Sequence, residues 1–461
     1  MLRRDIDMEP AGRHFDLIVI GTGSASSAGW ETATRLGKRV AVFEREVLGG
    51  ECPTFACVPS KALLRCAHVY RTVLDAHQFG IEVGSVSFNY QFIKERKDLV
   101  VSRTGAAQGE KPYRNAGVQV FHQEARFVSP DEVEAGGTRY SADRFLIATG
   151  SHTRIPKLEG LAEAGFMTFR DAIDLTRLPE SLFILGGGPV GCEFAELFSS
   201  FGVHVTIADH NKRLLAKEDP EVGGLIGELF SRRGVTILNE ASVTGVRREH
   251  GKKTLEMEQR GDRRTVTVDE IMIATGKAPS LDMGLEKAEV KYHEKGIVVD
   301  DTLATTNPNV YAAGDCVGPY QFTHVASYQG QVAAHNAFSE HKLRVDYRAI
   351  PRCVFTSPEV ATVGLTEHQA HEAGINIQVG TAEIASLGRA NTSEESEGFV
   401  KVIADEDDVL VGAAIVAPRA GEMVHELGLA ITLGATAYQV ASAIHAFPTF
   451  SEAVLEACAR I

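Results

Sequence analysis

Residues 15–26 read FDLIVIGTGSAS, a short apolar run followed at once by a turn that contains Gly21 and Gly23. The residues after the turn suit a helix, and residues 38–44 (KRVAVFE) return to an apolar run that ends in Glu44. This order predicts a strand, a glycine turn, a helix and a second strand that ends in an acid. Such a unit binds the pyrophosphate of a dinucleotide at the turn and its ribose at the acid.

The same pattern occurs a second time, from residue 182 onward. An apolar run (LFIL) leads into GGGPVG at residues 186–191, and the next apolar run, VHVTIAD, ends in Asp209. Each acid lies 18 residues after the third position of its turn, which is Ser26 in the first copy and Gly191 in the second. One glycine turn of this kind is weak evidence, because it can be only a tight turn. Two copies with matching strand, helix and acid predict a protein that binds two nucleotides.

Each position of the two turns has a physical role. The first glycine, Gly21 or Gly186, permits the tight turn. The second, Gly23 or Gly188, lets the backbone approach a pyrophosphate, and the third residue lets the helix pack closely on the strand. The start of the helix then receives the phosphates. The first copy has Ser26 where glycine or alanine is usual, and we expect this small side chain to be tolerated.

The acid of the second copy bears on the choice between NAD and NADP. A carboxylate at Asp209 repels a 2′-phosphate and accepts a hydrogen bond from a free 2′-hydroxyl, which favours NAD. Lys212 and Arg213 follow closely and could accommodate NADP. The sequence therefore predicts NAD(P)H as the reductant in general, with NADH preferred.

Residues 49–61 (GGECPTFACVPSK) follow Glu44 closely and carry Cys52 and Cys57. Four intervening residues let both sulfur atoms face one another at the start of a helix, where the helix dipole favours the thiolate. The alternatives are a zinc half-site or two unrelated thiols. Against the zinc half-site, the sequence contains no second cluster of cysteine and histidine at ligand spacing. The pair predicts thiol chemistry beside the first nucleotide.

Length and composition bound the class of protein. A chain of 461 residues suits about three domains, and 44% hydrophobic against 23% charged residues is ordinary for a globular protein. The formal net charge of −14 makes nucleic acid and anionic membranes unfavourable partners, and seven cysteines are too few for a disulfide scaffold. Acidic residues interrupt the N-terminal segment where an export signal needs an apolar core. No apolar run approaches the length of a membrane span, so we expect a cytoplasmic protein.

These features resemble the class I pyridine nucleotide-disulfide oxidoreductases, the family of dihydrolipoamide dehydrogenase, glutathione reductase and mercuric reductase. The resemblance covers nearly the whole chain and includes the two glycine turns and the cysteine segment. The further matching motifs are FLIATG at residues 145–150, IMIATG at 271–276, VYAAGD at 310–315, THVA at 323–326, IPRCVFTSPEVATVGLTE from Ile350, and HAFPTFSE at 445–452.

The resemblance implies a homodimer in which FAD binds the first glycine turn and NAD(P)H the second. Hydride would pass from the nicotinamide to the flavin, and the electrons would continue to the cysteine pair. Cys57 would be the flavin-proximal thiol and Cys52 the interchange thiol that meets the substrate. Lys61 would lie near the flavin and pair with Glu193, an interaction that could tune both the flavin potential and hydride delivery.

Further cofactor contacts are implied by the same resemblance. Asp315 would hold the ribityl chain of the flavin, Glu44 the adenosine ribose, and the backbone of Ala125 would touch the adenine. The predicted cofactor-binding residues are Gly21, Gly23, Ser26, Glu44, Gly50, Lys61, Ala125, Gly150, Gly186, Gly188, Gly191, Asp209, Gly276, Asp315 and Ala326. The predicted catalytic residues are Cys52, Cys57, Lys61, Glu193 and Glu452, and no metal ligand is predicted.

The motifs predict an α/β fold with two Rossmann-like dinucleotide-binding domains, one for FAD and one for NAD(P), and a C-terminal α+β dimerisation domain. The FAD-binding domain is expected in two parts, residues 1–155 with the cysteine pair and residues 281–349. The NAD(P)-binding domain, residues 156–280, would separate these parts in the sequence. Residues 350–461 are expected to form the dimerisation domain.

One position departs from the family pattern. The C-terminal motif normally holds a histidine that the partner subunit supplies as acid/base to the interchange thiol, and this sequence has Phe447 there. Phenylalanine has no proton to exchange, although Glu452 keeps the spacing of the residue that orients the histidine. His445 lies two residues earlier and is an alternative base. General acid/base catalysis contributes about 10²–10⁴ in rate, so we expect ordinary disulfide substrates to react slowly.

The leading interpretation is an FAD-dependent NAD(P)H dithiol/disulfide oxidoreductase, in which electrons reach an unidentified substrate through the cysteine pair. The missing base favours, as an alternative, a reductase of metal ions such as mercuric ion, or of quinones. Mercuric reductase also lacks the histidine, but its C-terminal vicinal cysteine pair is missing here, where only Cys458 lies near the end. A non-enzymatic dimerising scaffold is a third hypothesis, against which the two nucleotide turns and the cysteine pair count.

Overall fold

A computed structural model describes residues 12–104 and 109–461. These residues form two compact units, each assembled from several stretches of chain. The first unit consists of the described residues up to Pro59, those of Leu99–His152, and Lys277–Val345. The second unit consists of Ser60–Asp98, Thr153–Gly276 and Asp346–Ile461. The N-terminal segment considered above for an export signal lies largely outside the described residues, and the predicted domain boundaries stay a prediction.

Short strands and helices alternate up to residue 153, with a 3₁₀ turn at Ala76–Phe79. The strands are β1 (His14–Ile20), β2 (Val40–Phe43), β3 (Gln119–Phe121), β4 (Ala125–Ser129), β5 (Glu132–Ala135), β6 (Thr138–Ile147) and β7 (Ser151–Thr153). The helices are α1 (Ser24–Arg35), α2 (Glu51–Thr54), α3 (Cys57–Leu74), α4 (Tyr90–Ser102) and α5 (Lys111–Asn115).

The first glycine turn lies at the end of the central strand of a seven-stranded sheet. The strand order is β3-β2-β1-β6-β5-β4, with Val310–Ala312 also paired to β6. Strand β1 is parallel to both of its neighbours, with Leu17 opposite Val40 on one side and Arg144 on the other. Since the strand is buried on both faces, it reads as a continuous apolar run rather than an alternating one.

Residues 154–276 contain the second glycine turn. The helices are α6 (Leu161–Ala164), α7 (Phe169–Ala172), α8 (Pro189–Ser200) and α9 (Pro220–Arg232). The strands are β8 (Ser181–Leu185), β9 (His204–Asp209), β10 (Thr236–Asn239), β11 (Ala241–Glu249), β12 (Lys252–Gln259), β13 (Asp262–Val268) and β14 (Glu270–Ile273). A parallel sheet in the order β10-β9-β8-β14 carries the turn, and β11-β12-β13 form an antiparallel sheet. The predicted strand, turn, helix and strand are thus confirmed in both copies.

The chain then returns to the first unit for residues 277–345. The strands here are short: β15 (Lys277–Pro279), β16 (Tyr292–His293), β17 (Gly296–Ile297) and β18 (Val310–Ala312). A 3₁₀ turn at Asp315–Val317 and the long helix α10 (Thr323–Phe338) follow. Because β18 extends the sheet of the first glycine turn in parallel with β6, the end of VYAAGD comes to the same edge as the ATG segment.

The C-terminal stretch is built on a five-stranded antiparallel sheet in the order β19-β20-β23-β22-β21. Its strands are β19 (Arg352–Val354), β20 (Glu359–Gly364), β21 (Gln378–Glu383), β22 (Phe399–Ala404) and β23 (Leu410–Ala417). Its helices are α11 (Glu367–Glu372), α12 (Gly388–Ser393), α13 (Ala420–Leu433), α14 (Ala437–Ala441) and α15 (Glu452–Cys458), with a 3₁₀ turn at Ile384–Ser386. One hydrophobic core joins the sheet to α13 and α15.

Within the described ranges, none of the helices combines the length and the apolar character that a bilayer crossing requires.

Helices α1 and α10 cross in van der Waals contact. A Cβ atom on Gly330 of α10 would lie 2.0 Å from the carbonyl oxygen of Ala25 in α1, so no larger residue fits without a shift of backbone. Gly224 of α9 is the opposite case: it is exposed, and no atom of the described residues meets its Cβ position within 4 Å.

These two mid-helix glycines give a matched test of the packing. We expect Gly330→Ala to lower the free energy of unfolding by about 1–3 kcal/mol, because the methyl group forces the helices apart. Gly224→Ala should instead raise it by up to about 1 kcal/mol through helix propensity. Urea denaturation followed by circular dichroism measures both. Equal effects of the two substitutions would contradict the close crossing.

Candidate functional site

The two glycine turns have the same backbone geometry. Gly21 and Gly186 have φ angles of +101° and +119°, a region that favours glycine. A Cβ atom on either would lie 2.3 Å from a carbonyl oxygen, that of Ala148 at the first turn and that of Ala274 at the second. Both alanines belong to the ATG segments. Each glycine turn therefore packs directly against the end of its ATG strand.

The second glycine of each turn caps a helix and faces open space. Gly23 is the N-cap residue of α1 and Gly188 that of α8. Apart from the glycine itself and its neighbours in the chain, no atom of the described residues lies within 4 Å of the position that a Cβ atom would take on either glycine. Backbone N–H groups at a helix start bind phosphate, so the space and the donors fit a pyrophosphate at each turn.

The third turn position differs between the copies. A Cβ atom on Gly191 would lie 1.9 Å from the carbonyl oxygen of Gly186, so the second turn requires glycine there. The first turn accommodates Ser26, which is fully buried. Its hydroxyl finds no hydrogen-bond partner within the described part of the chain. An unpartnered buried hydroxyl at the turn fits a site that receives a polar ligand.

A cavity of about 290 Å³ opens beside the first turn, and its walls include Gly21, Glu44 and Ala125. The sequence assigns these three residues to a dinucleotide. The Thr22 hydroxyl donates to Oε2 of Glu44 at 2.7 Å, and the N–H of Glu46 donates to Oε1 at 2.8 Å. The carboxylate is thus held in place, and the cavity fits the adenosine half of a dinucleotide.

Asp209 is held at the second turn in a similar way. Its Oδ2 accepts the backbone N–H of Gly187 at 2.5 Å. Its Oδ1 accepts the backbone and side-chain N–H groups of Asn211, each at 2.7 Å. The buried carboxylate therefore has a fixed position directly at the glycine turn.

Three further residues assigned to cofactor binding lie at strand and helix ends. Gly150 and Gly276 close the two ATG segments with positive φ angles, +67° and +95°. Ala326 is buried in the first turn of α10, where a Cβ on Gly314 would touch it at 3.4 Å. Small residues here leave the backbone at the edge of each sheet accessible.

The start of the cysteine segment packs against the first glycine turn. Gly50 is the N-cap residue of α2, and a Cβ atom there would lie 2.6 Å from Cα of Gly23. Cys52 lies in α2, whereas Cys57 is the first residue of α3. The sulfur of Cys57 lies 3.5 Å from the hydroxyl oxygen of Thr323, the first residue of α10. Thr323 is the first residue of the THVA motif, and the sequence alone predicts no role for it.

A charged cluster surrounds Asp315. Lys277 pairs with Glu51, the residue before Cys52, and its Nζ lies 4.0 Å from Oδ2 of Asp315. The Ser151 hydroxyl donates to the same Oδ2 at 2.6 Å. Burial raises the pKa of Asp315, and the Lys277 charge and the Ser151 hydrogen bond oppose that rise.

Sequence reasoning missed both partners of this carboxylate. Ser151 is the residue directly after FLIATG, and Lys277 is the residue directly after IMIATG. Their common position after the two ATG segments is the signal that could have located them.

Lys61 and Glu193 meet in the second unit. The ammonium nitrogen lies 2.6 Å from Oε2 of Glu193, whose side chain is 8% exposed. The other oxygen, Oε1, accepts the backbone N–H of Phe355 at 3.1 Å. The ammonium also lies 4.7 Å from the centre of the Phe355 ring, within the range of a cation–π contact. Both charges are therefore fixed by several partners.

In the C-terminal motif, Phe447 is 79% exposed and carries no group that can exchange a proton. Glu452 accepts the N–H of Thr449 at 2.9 Å. The His445 ring is largely buried, with Nε2 2.8 Å from Oε1 of Glu426 and Nδ1 3.0 Å from a backbone carbonyl oxygen. Both ring nitrogens therefore already lie at hydrogen-bond distance from oxygen atoms of this chain.

Comparison with known protein families agrees with this geometry. The family model for pyridine nucleotide-disulphide oxidoreductases matches residues 15–330, and the model for their dimerisation domain matches residues 350–458. The chain belongs to the pyridine nucleotide-disulphide oxidoreductase family. The family predicted from the sequence motifs is thereby confirmed, and so is the α/β fold with nucleotide-binding and C-terminal dimerisation parts.

Three relatives illustrate the range of activities. The chain is 33% identical to dihydrolipoyl dehydrogenase of Bacillus subtilis, over 96% of this chain and 97% of that one. It is 36% identical to mercuric reductase of Streptomyces lividans, over 95% and 94%. The Cu(II) complex of the HOCl-induced flavoprotein disulfide reductase RclA from Escherichia coli superposes with a TM-score of 0.84 at 26% identity, over 97% and 99%.

The family and its members define the general activity. The enzyme is an FAD-dependent dithiol/disulfide oxidoreductase that uses NAD(P)H, as the sequence motifs predict. Both glycine turns fit dinucleotides on the geometry described above: the first with its cavity and unpartnered Ser26 hydroxyl, the second with its open Gly188 cap.

The contact between Thr323 and Cys57 can be tested by alkylation. A hydroxyl that donates to a thiolate favours the charged form, so its removal disfavours it. In a Cys52→Ser background, we expect Thr323→Val to raise the pH midpoint of Cys57 alkylation by iodoacetamide by about one unit. Thr323→Ser keeps the hydroxyl and should leave the midpoint near its original value. Identical midpoints for the valine and serine variants would show that the hydroxyl does not act on the sulfur.

Proposed function

We propose that this enzyme passes electrons from NADH through FAD and the Cys57/Cys52 pair to a thiophilic divalent metal ion. The observation that carries the proposal is the phenylalanine at position 447, together with the engaged nitrogens of His445. Dithiol–disulfide exchange is accelerated by a general acid/base that moves protons between the thiols. Reduction of a thiolate-bound metal ion needs no proton at sulfur, so it tolerates phenylalanine.

The electron balance is simple. NADH and Hg(II) give NAD⁺, Hg(0) and one proton, so the two electrons of one hydride complete one turnover. With Cu(II) as acceptor, two ions each take one electron. The similarity to mercuric reductase of Streptomyces lividans and to RclA in its Cu(II) complex supports a metal ion as substrate.

The chain's own residues prepare the thiols for this role. FAD, when bound, accepts the hydride of NADH and passes the electron pair on. The Thr323 hydroxyl is placed to donate to Cys57 as a thiolate. Cys52, in the short helix α2, is proposed as the thiol that meets the metal ion. Lys61, held by Glu193 at 2.6 Å, is proposed to adjust hydride delivery, and its helix α3 begins with Cys57.

NADH is the proposed reductant because of the charge at the second turn. The Asp209 carboxylate is held there by Gly187 and Asn211, and it repels a 2′-phosphate. Arg213, which could have favoured NADPH, instead donates to the backbone carbonyl of Glu218 at 3.3 Å. Of Asp209 and Arg213, the negatively charged Asp209 is thus the side chain that is held at the predicted ribose position.

A homodimer is the proposed assembly. The residues matched by the dimerisation model expose large apolar side chains, and a monomer would leave this surface in water. The most exposed are Leu429, Leu433, Tyr438, Ile444 and Phe447. A cytoplasmic location stays a prediction from the sequence.

Turnover with Hg(II), supplied with excess small thiol, tests the metal substrate. We expect the wild-type enzyme to oxidise NADH in an Hg(II)-dependent manner, and Cys52→Ser to lose nearly all of this turnover because the metal loses a thiolate ligand. Cys66→Ser is the matched control: Cys66 lies on α3, the helix that begins with Cys57, but is not assigned to the reaction, so its loss should have little effect. Full turnover by Cys52→Ser would mean that electrons leave without thiol exchange, as in a quinone reductase.

Restoring the base tests the reason for the substrate choice. In Phe447→His, we expect lipoamide or glutathione disulfide turnover to rise by about 10²–10⁴, the usual contribution of a general acid/base. Hg(II)-dependent turnover should change little. Phe447→Leu, which has no proton to exchange, is the control and should raise neither. Rapid disulfide reduction by the wild-type enzyme would contradict the proposal.

A further inference from the structure

Helix α3 and helix α8 are joined by more than the Lys61–Glu193 pair. Glu196, one helical turn after Glu193 on α8, accepts a hydrogen bond from Arg71 of α3 at 2.8 Å. The spacing of three residues places both glutamates on one face of α8. The helix that begins with Cys57 is therefore bound to the helix of the second glycine turn by two ion pairs.

Glu196 is the more completely buried of the two glutamates. Its side chain is not exposed at all, and its second oxygen, Oε2, accepts from Arg233 at 2.9 Å. Arg233 directly follows helix α9, so a third element braces the same carboxylate. A buried carboxylate with two arginine partners is strongly fixed, because leaving either charge unpaired in the interior is costly.

His68 lies beside this cluster on α3, with Nε2 3.8 Å from Oε1 of Glu196. Burial lowers the pKa of His68, and the neighbouring arginine charges add to the effect while Glu196 opposes it. The lowered pKa favours the neutral imidazole, so the two arginines are the main counter-charges of the Glu196 carboxylate.

The two ion pairs join residues that are far apart along α3 but close together along α8. Lys61 and Arg71 are ten residues apart, or about 15 Å along the axis of α3, whereas Glu193 and Glu196 are only about 4.5 Å apart along α8. The two cations must therefore reach toward each other to meet their partners. A slide of α3 along its axis would lengthen one pair as it shortened the other, so together they define one axial position.

We propose that Glu196, bound by Arg71 and Arg233, is a positioning residue that fixes α3 along its axis and so holds Lys61 at Glu193. The inference rests on the proposed role of the Lys61–Glu193 pair in hydride delivery. The further point is that the Lys61–Glu193 pair supports hydride delivery only when α3 lies at the axial position that Glu196, Arg71 and Arg233 define.

The test compares Glu196→Gln, Glu193→Gln and the double variant, each as the FAD-loaded enzyme. Anaerobic stopped-flow measures the rate of flavin reduction by NADH, and hydrogen exchange measures the protection of the α3 amides. We expect Glu196→Gln to slow flavin reduction about 10- to 100-fold, the usual effect of a small misplacement of a reacting group. Amide exchange in α3 should become faster. The double variant should be no slower than Glu193→Gln, because Glu196 acts through that pair.

A second variant guards against a folding defect in Glu196→Gln. Arg71→Gln removes the tether opposite Lys61 but leaves Glu196 paired with Arg233, and it should slow flavin reduction in the same direction. Asp174→Asn is the matched control. It removes a carboxylate that a different buried cation, Lys97, meets at 2.6 Å, so it should lower stability but leave the rate unchanged.

The outcomes separate this inference from the proposed function. A normal rate in both Glu196→Gln and Arg71→Gln, with Glu193→Gln slow, overturns the positioning role alone. Multiplying effects in the double variant would overturn it as well, since the two glutamates would then act independently. A normal rate in Glu193→Gln would overturn both the positioning role and the role of Lys61. Failure of Hg(II) reduction bears only on the proposed substrate, because flavin reduction by NADH precedes it.

Discussion

Both nucleotide turns depend on one close approach between backbones. The first glycine of each turn, Gly21 or Gly186, lies so near the carbonyl oxygen of an ATG alanine that a single added carbon atom would come within 2.3 Å of it. Real side chains never tolerate this distance from a backbone oxygen, so the strand before the turn and the ATG strand fix one another. The same distance recurs in two separate sheets, whose turns are proposed to hold different cofactors. The close approach is therefore a property of the shared motif and not of one cofactor site.

The close approach also determines what the neighbouring residues can do. In the first unit, the ATG strand end is fixed against its turn, so Ser151, which follows it, has a fixed position from which it donates to Asp315. Lys277 lies beside the same carboxylate. The cysteine segment is placed in a similar way, since Gly50 rests against Gly23 with no room for a side chain. Cofactor binding and thiol position therefore share one backbone framework.

The sequence predicts this framework well because its signals are local. Glycine, apolar run and acid recur at fixed spacing, and the observed strands and helices follow them in both copies. The residues that sequence reasoning missed have partners far away in the chain. Thr323 lies 266 residues from Cys57, and Glu196 lies 125 residues from Arg71. No spacing rule connects such residues, because the connection arises only when separate strands and helices have packed.

Buried ion pairs contribute little to stability, since removing two charges from water costs about as much as their attraction returns. An apolar contact between α3 and α8 would hold the helices together equally well. It would, however, allow several neighbouring axial positions, because side chains of similar size can pack one turn apart. Charges at Lys61 and Arg71 that must each meet one carboxylate allow only one position. Paired charges at this crossing therefore suit a helix whose exact placement matters more than its stability. A helix that begins with Cys57, the thiol proposed to take electrons, would have that requirement.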